Sequence, residues 1–287
     1  MIPIVAELGI NHQGNLEIAK ELATIAKNAG ATHVKLQKKT PEFIPAHMKN
    51  VSKVPPWASY DGDPIPYIEY IRKMQFGLEQ YQEFKDHCSS IGIKWFASVW
   101  DSQALKFIAY LSPSFVKIPS AKVNDLEFIK EVAKSGFPVV MSTGMSTSEE
   151  VDEAAKILRG YADKEVYLLH CHSAYPAPDE ELNLSVMINL KETCRIGIPC
   201  KAKVGFSSHS VSPFPAIYAA AWGADMLEVH LTKDRSWPGS DHAASLEPAG
   251  LELLVREIKR LDIIKGDGLR RVWESEKESM KRLRDIA

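Results

Sequence analysis

The sequence predicts one closed (β/α)8 barrel, the TIM-barrel fold, on three observations. Short β-branched runs alternate with amphipathic helical stretches from one end to the other, the pattern of parallel βα units. Eight such units follow one another without a long linker, and 287 residues fall in the range of a single barrel domain. Polar and ionic residues collect at the C-terminal ends of the strand segments, where barrel enzymes place their reacting groups. An open doubly wound sheet is built from the same units and is the structural alternative.

Taken in order, the strand segments are 2–8, 33–37, 94–99, 115–119, 138–142, 166–171, 203–208 and 225–230. Helical periodicity occupies 15–29, 78–92, 102–111, 126–135, 148–159, 184–192, 214–222 and 251–264. The first helix stops at Gly30, the usual C-terminal glycine. After the second strand comes a long irregular segment, 38–76, rich in proline and aromatics (Pro55, Pro56, Trp57, Tyr60, Pro64, Pro66, Tyr67). Loops of that length tend to be lids or binding loops, and the competing reading is a packed surface excursion. The charged stretch 270–287 reads as a terminal surface helix, so the organisation is a barrel over 1–268 and a helical tail over 269–287.

A formal net charge of −2 gives no reason to invoke nucleic acid or a membrane surface. The opening Met-Ile-Pro-Ile-Val-Ala-Glu has no basic start or cleavable apolar run, and no stretch approaches the roughly 20 apolar residues that span a bilayer. The expectation is a soluble cytoplasmic protein. Cys88, Cys171, Cys194 and Cys200 have neither a CxxC spacing nor the density of a disulfide scaffold, and read as reduced thiols.

Strand alternation decides which end residues face the interior. Glu7 ends the first strand opposite Ile4 and Ala6; Lys35 and Gln37 share the inward face of the second; Ser98 closes the third. Lys117 points inward between Val116 and Ile118, with Ser120 just after it, and Ser142 and Thr143 close the fifth strand. The sixth runs into His170-Cys-His-Ser-Ala-Tyr-Pro176. In the seventh, Gly205, Ser207 and His209 share a face, and in the eighth Met226, Glu228 and His230 do. Two imidazoles on adjacent strands, with room for oxygen ligands, form a divalent-metal site with open positions, and Asp241 adds a carboxylate nearby. Two inward lysines cost several kcal/mol to bury without anionic partners. Glu7 and Glu228 neutralise them on a structural reading; with Ser98, Ser120, Ser173 and Ser207 they form a cradle for a small ligand bearing phosphate and carboxylate. His33, His47 and His87 are read as satisfied core histidines, and His170, His172 and His242 as hydrogen-bonding partners of the site.

At these residues the sequence resembles the sialic acid synthase family, the phosphoenolpyruvate-dependent synthases of N-acetylneuraminate and related nine-carbon sugar acids. The matching stretches are Ala6-Glu-Leu-Gly-Ile-Asn-His-Gln-Gly14, Val34-Lys-Leu-Gln-Lys38, Ser142-Thr-Gly-Met-Ser146, Leu169-His-Cys-His-Ser-Ala-Tyr-Pro176 and Gly239-Ser-Asp-His-Ala-Ala-Ser-Leu-Glu-Pro248. The resemblance implies phosphoenolpyruvate on Lys35, Ser98, Lys117, Ser120, Ser173 and Ser207, and a sugar held by Glu7, Gln37, Tyr175 and Asp241. It implies a manganese-type ion on His209 and His230, with magnesium or cobalt as alternatives, and a homodimer. Lys122 departs from the family, where glutamate is common, and inverts a charge near the pocket. Members generally continue into a C-terminal antifreeze-like domain that lends an arginine to the partner's sugar site. This chain stops soon after Met280-Lys-Arg-Leu-Arg, so the expectation is a barrel without that domain, closed by the 38–76 loop.

The implied reaction joins phosphoenolpyruvate to the open-chain aldehyde of a sugar, giving a 2-keto-3-deoxy acid and phosphate, with Glu7, Lys35, Lys117 and Glu228 as catalytic residues. Three alternatives stand beside it: a synthase using an aldose phosphate, for which Lys38 and Lys39 are the basic candidates, a metal-dependent hydrolase, and a non-catalytic sugar-acid-binding homologue.

Overall fold

The structure is a computed structural model that describes residues 2–55, 63–161, 164–196 and 202–284. Pro56, Trp57 and Tyr60 of the long loop, and Cys200, lie outside the described residues.

Eight parallel strands close on themselves: β1 (Ile4–Gly9), β2 (His33–Lys38), β3 (Lys94–Val99), β4 (Val116–Ile118), β5 (Val139–Ser142), β6 (Val166–Cys171), β7 (Ala202–Ser208) and β8 (Leu227–His230). Each strand pairs with its sequence neighbours, and β1 pairs with β8 to complete the cylinder, so the expected TIM barrel is what the chain forms and the open sheet is not. Alternation sends Val34, Leu36, Val116, Ile118, Val204 and Phe206 outward into the main core beneath the helices. The opposite face supplies a plug inside the barrel, where Val5, Phe96, Phe115, Val140, Tyr167, Leu169 and Met226 pack together. The next inward layer toward the C-terminal end is polar, and the register sets it level: Glu7 lies beside Lys35 and His230, Ser98 beside Gln37 and Lys117, and Ser207 beside Cys171 and Glu228.

The helices begin and end where local chemistry dictates. Asn15 caps α1 (Leu16–Ala29), accepting from the Glu17 and Ile18 N–H groups, and Gly30 closes it at φ 92°. The last barrel helix starts at Pro248 rather than at 251 as expected, because proline suits the first helical turn, whose N–H groups have no partner in the helix. Strand β4 is shorter than expected: Pro119 has no N–H to give the ladder, and Phe115 turns into the plug. Among its described residues the charged tail is helical over Lys277–Leu283, after a single 3-10 turn at Glu274–Glu276, so the helix expected from 270 starts later than that.

The segment after β2 departs most from expectation. It holds a short antiparallel pair, Ser52–Lys53 with Ile65–Pro66, and a two-turn helix, α2 (Tyr67–Met74). Tyr70, Ile71 and Met74 of α2 bury against Ile44, giving the segment a small core of its own. Asp101 ties its base down: one carboxylate oxygen accepts from Ala104 N and Thr40 Oγ1, and the other accepts from Thr40 N. No helix among the described residues is long and apolar enough to cross a membrane. Cys88 and Cys171 are buried and form no disulfide.

Candidate functional site

A cavity of about 250 Å³ opens at the C-terminal mouth of the barrel. Glu7, Lys35, Gln37, Ser98, Lys117, Ser120, Ser173, Tyr175, Ser207, His209, Glu228 and His230 all line it. Asp241, the remaining expected residue, lines an adjoining cavity of about 600 Å³ that shares Gln37, Trp100 and Tyr175 with the first. Eight strand ends therefore converge on one place, as the alternation predicted.

Glu228 is the electrostatic centre. Lys35 Nζ donates to its Oε1 at 2.8 Å, Lys117 Nζ donates to the same oxygen, and Ser207 Oγ donates to it at 3.3 Å. Burial opposes ionising Glu228, but the two ammonium groups outweigh it and hold the carboxyl well below its usual range. Lys35 also stands 3.4 Å from Glu7 Oε2. Burial alone would depress Lys35, and the carboxylates of Glu228 and Glu7 overcome that and raise it. Lys117 is pulled down to about 8 by burial, against the attraction of Glu228 and with Lys35 adding repulsion. Glu7 is pushed up to about 7, chiefly by burial. Its Oε1 accepts from Gln37 Nε2 at 3.1 Å. Both lysines are thus partnered, as the structural reading required, yet the partners do not fill the space between them. Glu7, with its pKa near 7, is partly ionised beside Lys35 at neutral pH.

Several buried polar atoms around this cavity have no hydrogen-bond partner: Glu7 Oε2, Glu228 Oε2, Ser142 Oγ, Trp100 Nε1 and His230 Nδ1. Buried polar groups left unpaired are costly, so their concentration at one cavity marks a place built for a polar guest.

The two imidazoles meet edge to face, with ring centroids 5.2 Å apart and planes at 72°. His209 Nδ1 donates to the His172 carbonyl oxygen at 2.5 Å, which leaves Nε2 with its lone pair. Burial keeps both rings neutral, down to about 3 in each case, with His230 adding to the effect on His209 and Lys35 to that on His230. Asp241 Oδ2 lies 3.7 Å from the unpartnered His230 Nδ1. No group of three or more His, Cys, Asp or Glu among the described residues forms a full metal ligand set. The donors nevertheless fit a divalent ion that takes two protein nitrogens and fills its other positions with oxygen from substrate or water.

Residues 22–270 match the NeuB family over most of the chain. The chain belongs to the NeuB family. It is 32% identical over 284 residues to the N,N'-diacetyllegionaminic acid synthase of Campylobacter jejuni, covering 98% of this chain and 82% of that one. It is 34% identical over 259 residues to the human N-acetylneuraminate-9-phosphate synthase, covering 90% and 70% respectively. Its fold superposes with a TM-score of 0.82 on a sialic acid synthetase of Leptospira borgpetersenii crystallised with citrate, at 27% identity over 98% of this chain and 90% of that one. The NeuB-family assignment carries the enzyme class with it, a condensing transferase that uses phosphoenolpyruvate.

His33 is a satisfied core histidine, its Nδ1 2.8 Å from Thr32 Oγ1 and its ring against Phe115. His87 is half-buried between helices, bonded to Lys20 O and Thr24 Oγ1. His47 is not a core residue: it sits exposed in the single turn Ala46–Lys49, because nothing in the loop's small core reaches it. His172 serves the site through its backbone carbonyl, while its ring pairs with Glu181. His170 binds Leu182 O and His242 binds Thr232 Oγ1, so both brace loops. Lys122 does not line the central cavity; it pairs with Asp125 at 3.0 Å and borders a third pocket on the loop side. Lys38 is turned out of the mouth, donating to Phe76 O at 2.7 Å over the Phe107 ring.

Sequence reasoning passed over Trp100, Gly9 and the cavity-facing role of Ser142. Trp100 follows β3 directly and walls all three mouth pockets. Gly9 adopts φ 49° at a register shift in β1, and a Cβ there would meet Glu7 Oε1 at 3.1 Å, Gln37 Nε2 at 3.2 Å and Asp241 Oδ2 at 3.3 Å. Only a glycine lets those three side chains converge, and the positive-φ demand was hidden in the Leu-Gly-Ile-Asn run.

Proposed function

We propose that this chain condenses phosphoenolpyruvate with the open-chain aldehyde of an N-acetylhexosamine-type sugar, giving a 2-keto-3-deoxy nonulosonic acid and phosphate. The observation that carries the reading is the pair of buried ammonium groups at the cavity floor: Lys35 and Lys117 converge on one oxygen of Glu228 beneath open space. A small polyanion entering there meets both ammonium groups at once. Ser98, Ser120, Ser173 and Ser207 supply hydroxyl groups around it, and Ser120 Oγ is oriented by accepting from Gly144 N at 3.0 Å.

The aldehyde enters from the larger cavity, past Gln37, Tyr175 and Asp241. C3 of the enol ether attacks the aldehyde carbon, water adds at C2, and the tetrahedral adduct expels phosphate. The two reacting carbons must be held within roughly 3 to 3.5 Å, and fixing phosphoenolpyruvate on two lysines limits its freedom to that geometry. Glu7, held near neutrality by burial, suits proton transfer at the sugar. A divalent ion on His209 and His230, manganese by family resemblance, would supply a Lewis acid at the acceptor's carbonyl oxygen.

The test is phosphate release from phosphoenolpyruvate against a panel of aldehydes, with and without manganese. Release that requires an aldose supports the reading. Release without any aldehyde points to a hydrolase, and binding of phosphoenolpyruvate with no release under any condition points to a non-catalytic homologue. His230→Ala is expected to remove activity that added metal does not restore, together with loss of manganese binding measured by calorimetry.

A further inference from the structure

Asn11 is buried behind the site, lines neither mouth cavity and has no task in the condensation. The turn after β1 places it: Asn11 N donates to Leu8 O at 2.7 Å, closing the backbone around Gly9 and Ile10. Its amide then reaches two points 220 and 234 residues further along the chain, Nδ2 donating to Leu231 O and to Ser245 Oγ, each at 2.9 Å. A carbonyl oxygen can only accept, so Leu231 O fixes which way the amide is turned. Oδ1 has no partner among the described residues, so the two donors alone tie the side chain in place. Ser245 is fully buried and passes the link on, its Oγ donating to Asp241 O at 2.7 Å.

Both ends of that link belong to the loop that carries Asp241. The chain leaves β8 after His230, runs outward and returns through the 3-10 turn His242–Ala244, where Leu246 N donates to His230 O at 2.8 Å and Thr232 N to Leu246 O at 2.9 Å. Asp241 opens the turn, with Oδ2 3.7 Å from His230 Nδ1 and Oδ1 accepting from Ser240 Oγ at 2.6 Å. A single 3-10 turn has poor hydrogen-bond geometry and little stability of its own, so the placement of its first residue has to be imposed from outside. Gln13, the other side chain that crosses from the β1 loop, reaches Pro238 O and His242 Nε2 only at 3.4 Å. Asn11 makes the shorter and therefore stronger tie.

We infer that Asn11 is the positioning residue for Asp241: its amide fastens the turn to the end of β8 and so keeps the Asp241 carboxylate beside His230, at the wall of the cavity that admits the acceptor. The task of Asp241 is taken from the condensation reading above, whereas its placement by Asn11 stands on the hydrogen bonds alone.

Asn11→Leu, close in size but without donors, and Ser245→Ala, which removes the relaying hydroxyl, are compared with the wild type by amide hydrogen exchange and by steady-state phosphate release. Exchange over 240–246 is expected to quicken about tenfold or more in each variant, because a buried acceptor loses its donor, while β2 to β7 stay as protected as before. The kcat/KM for the acceptor should fall about tenfold or more through a raised KM, with the affinity for phosphoenolpyruvate unchanged. In an Asp241→Ala background, where the carboxylate is already gone, Asn11→Leu should cost less than about twofold further, the non-additivity of two residues that act as one. The inference is overturned if exchange over 240–246 is unchanged, if it quickens equally throughout the barrel, or if Asn11→Leu costs as much in Asp241→Ala as in the wild type. Should Asn11→Leu fail to fold, Ser245→Ala carries each of these comparisons. Local quickening in a protein whose wild type releases no phosphate with any aldose would sink the condensation reading and leave the placement of Asp241 standing.

Discussion

At the scale of single residues, Glu228 holds the site in a state of partial neutralisation. Its Oε1 receives both Lys35 and Lys117 inside a region where each side chain is at most 4% exposed. Removing one partner of a buried ionic cluster costs about 3–5 kcal/mol, because the remaining charges are left uncompensated. Glu228→Gln preserves shape and is therefore expected to reduce unfolding free energy by about that amount in denaturant titration. An anion that binds between the lysines should compensate. Phosphoenolpyruvate is thus predicted to raise the melting temperature of Glu228→Gln more than that of the wild type. Equal shifts in the two proteins would mean that the ligand does not sit against these lysines. The comparison is informative because ligand stabilisation itself is generic, reaching about 2.7 kcal/mol at 100 times Kd, whereas the difference between variants reports the local charge.

Among the elements, the segment between β2 and the helix at Leu78–Ile91 separates what was legible from what was not. Its proline and aromatic content read correctly as a departure from βα rhythm, yet α2 was missed although Tyr67, Tyr70, Ile71 and Met74 follow the i, i+3, i+4, i+7 spacing of a buried helix face. Two turns are too few for periodicity to speak loudly, and the partner that stabilises them, Ile44, is more than 20 residues away. Lys38 and Lys39 show the same limit at finer grain. The parity of Val34 and Leu36 puts Lys38 outside, which was readable, whereas Lys39 has left the strand and its direction is set by Gln75 and Trp100. Because the loop core is a satellite of the barrel core, Ile71→Ala is expected to loosen the loop without unfolding the barrel. Large-to-small core changes cost about 2–5 kcal/mol, enough to open a cluster of this size. The predicted outcome is faster proteolytic cleavage within 39–75 and a raised KM for the acceptor, with phosphoenolpyruvate affinity retained. A loss of phosphoenolpyruvate binding in step with acceptor binding would contradict the separation of the two cavities.

For the whole molecule, the alternation of eight short strands made the inward set readable, but closure was not a local property. Glu7 comes level with His230 only because β1 pairs with β8 across the length of the chain, and no short stretch announces that register. The same closure buries ionisable groups that have no part in the chemistry, and these set how the fold responds to acid. His12 packs on Phe76 and accepts from Gly14 N, and His33 packs among Phe96 and Phe115. Burial pulls both down to about 4, with Lys94 adding to the effect on His33. Between about pH 6.5 and pH 4 the unfolded chain binds protons at these histidines that the native state refuses, so stability falls as pH drops through that window. His209 and His230 act in the same sense, while Glu7, raised to about 7, opposes them by taking up its proton in the native state first. The contribution of one histidine is isolated by His33→Phe, which keeps the aromatic packing and cannot titrate. Its urea midpoint is expected to fall less than that of the wild type between pH 6.5 and pH 4, by the equivalent of about 3 kcal/mol in unfolding free energy. Parallel pH profiles for the two proteins would show that His33 reaches solvent in the native state, and the dry plug beneath the site would then have to be open to water.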